Sequence, residues 1–139
     1  MDVYFCGSIR GGRSRQPVYA ALVSHLERGG HAVLTAHVAA PDVLSDERRY
    51  PLTEIYRRDV RWLEVCDAVV AEVTVPSLGV GYEIAYALHQ AGKPVLCLCQ
   101  AGTSLSVMLE GNDTPNLRVV FYHDMAQALA ALDEFLNAR

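Results

Sequence analysis

Short apolar runs alternate with amphipathic stretches along this chain. Residues 2–6, 32–35, 67–73, 95–99 and 118–122 are rich in Val, Leu, Cys and aromatic side chains. Runs of that length with little polar alternation predict buried parallel strands. Residues 16–28, 51–65, 79–91 and 125–136 carry apolar side chains at helical spacing. Pro17 suits the first turn of the first helix, and Gly29-Gly30 ends it. The charged connection 36–50 has room for a short helix and is long enough to form a mobile loop over a site. Residues 103–110 predict another short helix, and Asn112-Asp113-Thr114-Pro115-Asn116 a turn.

Strands alternating with helices predict a single α/β domain over residues 1–139. The expected architecture is Rossmann- or flavodoxin-like: a five-stranded parallel sheet, order 2-1-3-4-5, with helices on both faces. Ligands of such sheets bind where strand order reverses, here between the first and third strands.

Two connections at that place carry candidate chemistry. Pro76-Ser77-Leu78-Gly79-Val80-Gly81-Tyr82-Glu83 leads from the third strand into a helix. Small residues at a helix start expose backbone N–H groups to an anion. Glu83 is expected on the first turn, where the helix dipole favours an ionised carboxylate. Such a carboxylate beside an anion pocket suggests a nucleophile acting on a sugar phosphate; otherwise it only complements the dipole. Gly7-Ser8-Ile9-Arg10-Gly11-Gly12-Arg13 follows the first strand. Its glycines let backbone approach a ligand, Ser8 brings a hydroxyl, and Arg10 and Arg13 bring charge. This turn is neither a dinucleotide fingerprint nor a Walker loop.

Asp59 lies inside a predicted helix among Tyr56, Trp62 and Leu63. Aspartate is a poor helix-interior residue, so it either faces solvent or serves as a second carboxylate. Paired carboxylates suit glycosidic cleavage. Ser8, Ser77 and Ser106 belong to no nucleophile elbow or S-x-x-K motif and fit anion binding better than attack. Tyr4 is either core or reaches the crevice with its hydroxyl.

The apolar fraction of 51% supports a core, and a formal charge of −4 gives no field favouring nucleic acid. Arg57, Arg58 and Arg61 read as a solvated face or a subunit contact. The four cysteines form no C-x-x-C and read as buried reduced thiols; the five histidines show no metal spacing, so no metal is expected. No leader or membrane-spanning run is visible, which predicts a cytoplasmic protein, or a nuclear one in a eukaryote.

Several segments closely resemble one known family. Tyr4-Phe5-Cys6-Gly7-Ser8-Ile9-Arg10-Gly11-Gly12-Arg13, Leu34-Thr35-Ala36-His37-Val38-Ala39, Asp59-Val60-Arg61-Trp62-Leu63 and the stretch from Val70 to Glu83 resemble the 2'-deoxynucleoside 5'-phosphate N-hydrolases, within the nucleoside 2-deoxyribosyltransferase superfamily. The resemblance implies hydrolysis of deoxynucleoside 5'-monophosphates to 2-deoxyribose 5-phosphate and free base. It makes Glu83 the nucleophile that forms a covalent deoxyribosyl ester, and Asp59 the acid assisting base departure or proton transfer. Tyr4 would order the carboxylates and sugar. Ser8, Ile9, Arg10, Gly11, Ser77 and Gly79 fall on the phosphate site, and Ile9 and His37 near base or sugar. Ser106, with Met108 beside it, matches a serine that reaches the phosphate of a neighbouring subunit, which implies at least a homodimer. No metal or organic cofactor is implied. A CMP-type ribonucleotide N-glycosidase, a base-exchanging deoxyribosyltransferase and a non-catalytic nucleotide-binding module are the alternatives.

Overall fold

The computed structural model describes residues 1–138. β1 (Asp2–Gly7), β2 (Ala32–Val33), β3 (Ala68–Glu72), β4 (Val95–Gln100) and β5 (Leu117–Tyr122) form one sheet. Every neighbouring pair is parallel, in the order β2-β1-β3-β4-β5, as the alternation predicts. The helices are α1 (Gln16–Arg28), α2 (Val43–Glu47), α3 (Leu52–Val65), α4 (Leu78–Ala85), α5 (Val107–Glu110) and α6 (Met125–Asn137).

Side chains alternate across each strand and so divide the core into two layers. Val3, Phe5, Val70, Leu96 and Leu98 pack with α1 and α6. Tyr4, Cys6, Val69, Ala71 and Cys97 pack on the opposite face with Leu63 of α3 and Ile84 of α4. All four cysteines are free and buried in that second layer.

Three elements depart from the predicted bounds. β2 is shorter because the buried Thr35 side chain replaces the ladder. Its Oγ1 accepts from the Phe5 N–H at 2.8 Å and donates to the Phe5 carbonyl at 2.6 Å. The chain then turns into a 3-10 helix, Ala36–Ala39, so connection 36–50 is largely helical. The helix after β3 starts one residue early and widens over Tyr86–Gln90, where the Ala91 N–H bonds back to the Tyr86 carbonyl at 2.9 Å. The helix predicted over 103–110 forms only at Val107–Glu110, with the Ser106 hydroxyl accepting from the Met108 N–H.

β1 pairs with β2 on one side and β3 on the other, so a crevice opens above the carboxyl ends of β1 and β3. A polar cluster under it ties four elements together. Glu72, at the end of β3, is wholly buried. It accepts from the Tyr122 hydroxyl at 2.8 Å and from the Thr74 hydroxyl, while Arg15 lies 4.0 Å away. Thr74 Oγ1 also accepts from the Gln100 N–H at 2.9 Å. Burial raises the Glu72 pKa, and the Thr74 and Tyr122 hydrogen bonds and Arg15 oppose that rise. Removing one donor from a buried carboxylate is expensive. Tyr122→Phe is expected to lower stability by about 1–3 kcal/mol, read from the urea midpoint at constant slope. An unchanged midpoint would show that the hydroxyl does not support Glu72.

Candidate active site

A cavity of about 470 Å³ occupies the crevice. The β1–α1 turn contributes Ile9 and Arg10, and α3 contributes Asp59. Ser77, Gly79 and Glu83 come from the β3–α4 segment. The sequence-predicted pair, Glu83 and Asp59, therefore shares one cavity wall.

Glu83 lies on the second turn of α4, not the first, because the helix starts at Leu78. Its dipole contact is weak there, and the expectation of a firmly ionised carboxylate does not hold. Burial is the largest influence on the carboxyl and raises its pKa to about 7. Hydrogen bonds from Tyr4 and the Cys6 thiol pull it down, while the charges of Asp59 and Glu47 push it up. The Tyr4 hydroxyl donates to Glu83 Oε1 at 2.6 Å. Tyr4 is a core residue of β1, and burial followed by the Glu83 charge drives its pKa far up. It therefore stays a donor throughout the working pH range.

Asp59 has a charged partner instead. Arg58 Nε donates to Asp59 Oδ1 at 2.9 Å, and Nη2 lies 2.8 Å from the same oxygen as an ion-pair contact. Burial raises the Asp59 pKa, and the Arg58 hydrogen bond and charge oppose it. Arg58 Nη2 also lies 3.2 Å from His37 Nε2, and its guanidinium sits 4.7 Å from the centre of the Trp62 ring. Arg57 and Arg61 face solvent, but Arg58 does not belong to that face.

The other end of the cavity offers neutral donors. Ser77 caps α4, its Oγ accepting from the Val80 N–H at 3.4 Å, which leaves the hydroxyl proton for a ligand. The Ser8 side chain is buried, and its hydroxyl has no hydrogen-bond partner among the described residues. A Cβ on Gly11 would lie 2.6 Å from the Pro76 carbonyl oxygen and 2.8 Å from Ser8 Oγ. Only glycine lets the two turns touch. Arg10 is mostly exposed and reaches Glu47 Oε2 at 3.4 Å. Arg13 is occupied structurally, donating to the carbonyls of Ser8 and Ala40 at 3.2 and 2.7 Å.

Tyr4, Ser8, Gly11, His37, Ser106 and Met108 are not among the residues that line this cavity. His37 meets Arg58, the neighbour of Asp59, outside the cavity lining. Ser106 and Met108 line a neighbouring cavity of about 710 Å³, with Leu78, Ile84 and Leu88 among its walls. Ser77 borders both cavities. Leu78 and Met108, which line the second one, are strongly exposed. Glu47, buried and lining the first cavity, carries no sequence signal, since it sits in the charged connection without periodicity. Arg58 does carry one: it is adjacent to Asp59 and four residues before Trp62, hence on one helix face. Among the described residues no group of three or more His, Cys, Asp or Glu could hold a metal ion. Among the described residues no helix is long and apolar enough to cross a membrane.

The raised Glu83 pKa links stability to pH. Between the ordinary glutamate value and about 7 the folded state keeps a proton that the unfolded state has released. Stability therefore falls as pH rises through that window. Glu83→Gln keeps an acceptor for Tyr4 and removes the charge. It is expected to stabilise the protein by about 2–3 kcal/mol at pH 8 and to have little effect near pH 4. Equal effects at both pH values in chemical denaturation would refute the shift.

The nucleoside 2-deoxyribosyltransferase profile matches residues 3–117. The rat 5-hydroxymethyl-dUMP N-hydrolase is 45% identical over 99% of this chain and 85% of its own. The human protein of that name is 42% identical over 98% of this chain and 79% of its own. The fold is also that of the Clostridium botulinum CMP N-glycosidase BcmB, with a TM-score of 0.71 at 20% identity over 97% of this chain and 99% of that one. A match spanning most of the chain, with relatives this similar along its whole length, makes it a member of the nucleoside 2-deoxyribosyltransferase family.

Proposed function

We propose that this protein is an N-glycosidase that hydrolyses 2'-deoxynucleoside 5'-monophosphates to free base and 2-deoxyribose 5-phosphate. One observation carries the reading. A desolvated carboxylate oriented by a tyrosine shares a cavity with a second carboxylate and a serine-capped helix start. The names of the rat and human relatives support the same substrate class.

In this reading the phosphate sits against the Ser77 hydroxyl and the first N–H groups of α4, with Ser8, Ile9, Arg10 and Gly11 on the facing turn. Those contacts lie away from the breaking bond, so their energy can hold C1' against Glu83. Tyr4 occupies Oε1 of Glu83, leaving Oε2 for C1'. A Glu83–C1' bond forms as the C1'–N bond breaks, and the electron pair leaves with the base, which takes a proton from solvent. Water then attacks C1' of the ester, gives its proton to Asp59 and frees Glu83, with net retention. Both carboxylates stabilise the oxocarbenium-like transition state. Absence of a 2'-hydroxyl removes an electron-withdrawing group and eases the cleavage. Because the nucleophile is the ionised form, the rate is expected to rise with pH through about 7.

The test is base release from deoxy- and ribonucleoside 5'-monophosphates, 5-hydroxymethyl-dUMP included, with wild type and Glu83→Ala in parallel. Release from deoxynucleotides by the wild type only, with nucleotide binding retained in the variant, is expected. Release mainly from ribonucleotides would favour a CMP-type glycosidase. Transfer to an added base exceeding hydrolysis would favour a transferase. Binding without release would favour a non-catalytic module.

The second cavity supports a homodimer in which Ser106 completes the partner's phosphate site. Its apolar rim is exposed in the single chain, and Ser77 connects it to the first cavity. Mixing Glu83→Ala with Ser106→Ala subunits is expected to recover activity that neither variant shows alone, since each mixed dimer holds one intact site. Light scattering that shows only monomers, or no recovery after subunit exchange, would remove the dimer from the proposal.

A further inference from the structure

We propose that Arg58 is a positioning residue: it fixes the Asp59 carboxylate through one oxygen and holds His37 as the neutral Nδ1–H tautomer. The inference rests on the reading of the site as an N-glycosidase, and it concerns two groups that reading leaves unsupported. Asp59 needs a reason to stay ionised in a half-buried wall shared with Glu83. His37 lies next to the site yet outside the cavity lining.

The geometry answers both. Nε and Nη2 of Arg58 converge on Asp59 Oδ1, at 2.9 and 2.8 Å. A charge-assisted bond of that length is strong, and because both contacts fall on Oδ1 neither takes up Oδ2. Nη2 also meets His37 Nε2 at 3.2 Å. A guanidinium only donates, so that ring nitrogen must accept, which places the imidazole proton on Nδ1. The guanidinium plane is itself held by the Trp62 ring at 4.7 Å, one helical turn on, and His37 lies 5.9 Å from the same ring. Arginine, Trp62, His37 and Asp59 thus form one packed unit. A lysine could supply the charge but neither the two-donor fork nor the stacking plane.

The charges around this unit act as follows. Asp59 is faced by Arg58 on its own helix, by Glu83 of α4 and by Tyr4 of β1. Of these only Arg58 favours its ionised form. His37 is faced by Arg58 and by Glu47 and Asp46 of α2. Burial, then Arg58, lowers the His37 pKa, and the two carboxylates oppose it. Loss of Arg58 therefore protonates both groups at higher pH: Asp59 loses its charge and His37 gains one.

The test compares wild type, Arg58→Met, Arg58→Lys, Asp59→Asn and the Arg58→Met/Asp59→Asn double variant, using the kcat/KM pH profile on the best deoxynucleotide. Arg58→Met is expected to lose about tenfold at pH 6 and under about threefold at pH 9, with the acid limb moved up. Arg58→Lys is expected to fall between, and Arg58→Met to cost nothing further in the Asp59→Asn background. A loss equal at every pH, or fully additive losses, would overturn the proposal. Nitrogen-15 NMR of the imidazoles tests it apart from turnover. Wild-type His37 is expected as the Nδ1–H tautomer, and its titration is expected to rise in Arg58→Met. If the wild type releases no base, the glycosidase reading fails while this NMR result still decides on Arg58. An Nε2–H tautomer, or a His37 titration unmoved by Arg58→Met, overturns the role of Arg58 even where hydrolysis stands.

Discussion

A carboxylate desolvated at the carboxyl edge of a parallel sheet is the constraint on which the rest of the site depends. Glu83 is half-buried, and burial is the largest influence on its pKa, so what donates to it matters. Its closest donor is a neutral phenol rooted in β1, whose ring belongs to the core and cannot drift. A neutral donor orients a carboxylate without cancelling its desolvation cost, and the pKa stays near 7. Glu72, on the other face of β3, repeats the device with Tyr122. Asp59 is treated differently, because an arginine pairs with it. The kind of partner, tyrosine or arginine, therefore separates two carboxylates that share one cavity.

The end of the cavity proposed to take the phosphate follows the same logic. It offers hydroxyls and backbone N–H groups, with Arg10 standing at the rim and engaged by Glu47. Dense cationic charge beside Glu83 would hold its pKa low and weaken the contrast with Asp59. Close contact between the two turns is possible because Gly11 lets the β1–α1 turn lie against Pro76. Arg13 spends its guanidinium on two carbonyls to keep that turn folded.

How legible this was depends on whether a feature is local. The strand order and the crevice between β1 and β3 follow from alternation and handedness, which sequence periodicity records. Glu83, Asp59, Ser77 and Gly79 stand in segments whose composition marks them, and the fold brings them together. What failed was burial at atomic scale. Glu83 was expected to follow the helix dipole, but α4 starts at Leu78, which puts it on the second turn, and its donor Tyr4 lies in β1, seventy-nine positions away in the chain. β2 stops early because a Thr35 side chain competes with the ladder, a contest no propensity registers. Arg58 has two neighbours with identical charge, and only tertiary contact with His37 and Trp62 distinguishes it from Arg57 and Arg61.

These contacts give the cavity a charge balance suited to the proposed reaction. Glu47, Asp59 and Glu83 face it or line it, against Arg10 and Arg58. Each arginine is directed at a carboxylate on the wall, not at the position C1' would take beside Glu83. A sugar that develops positive charge as its base departs would therefore meet uncompensated negative charge at Glu83 and at the free oxygen of Asp59. The dianion at its other end would meet neutral donors. The ground state has no cation at C1' to profit from that arrangement and the transition state does, which is the differential binding that lowers a barrier. Arg58 limits the cost, because it keeps Asp59 charged without placing its own charge in the cavity.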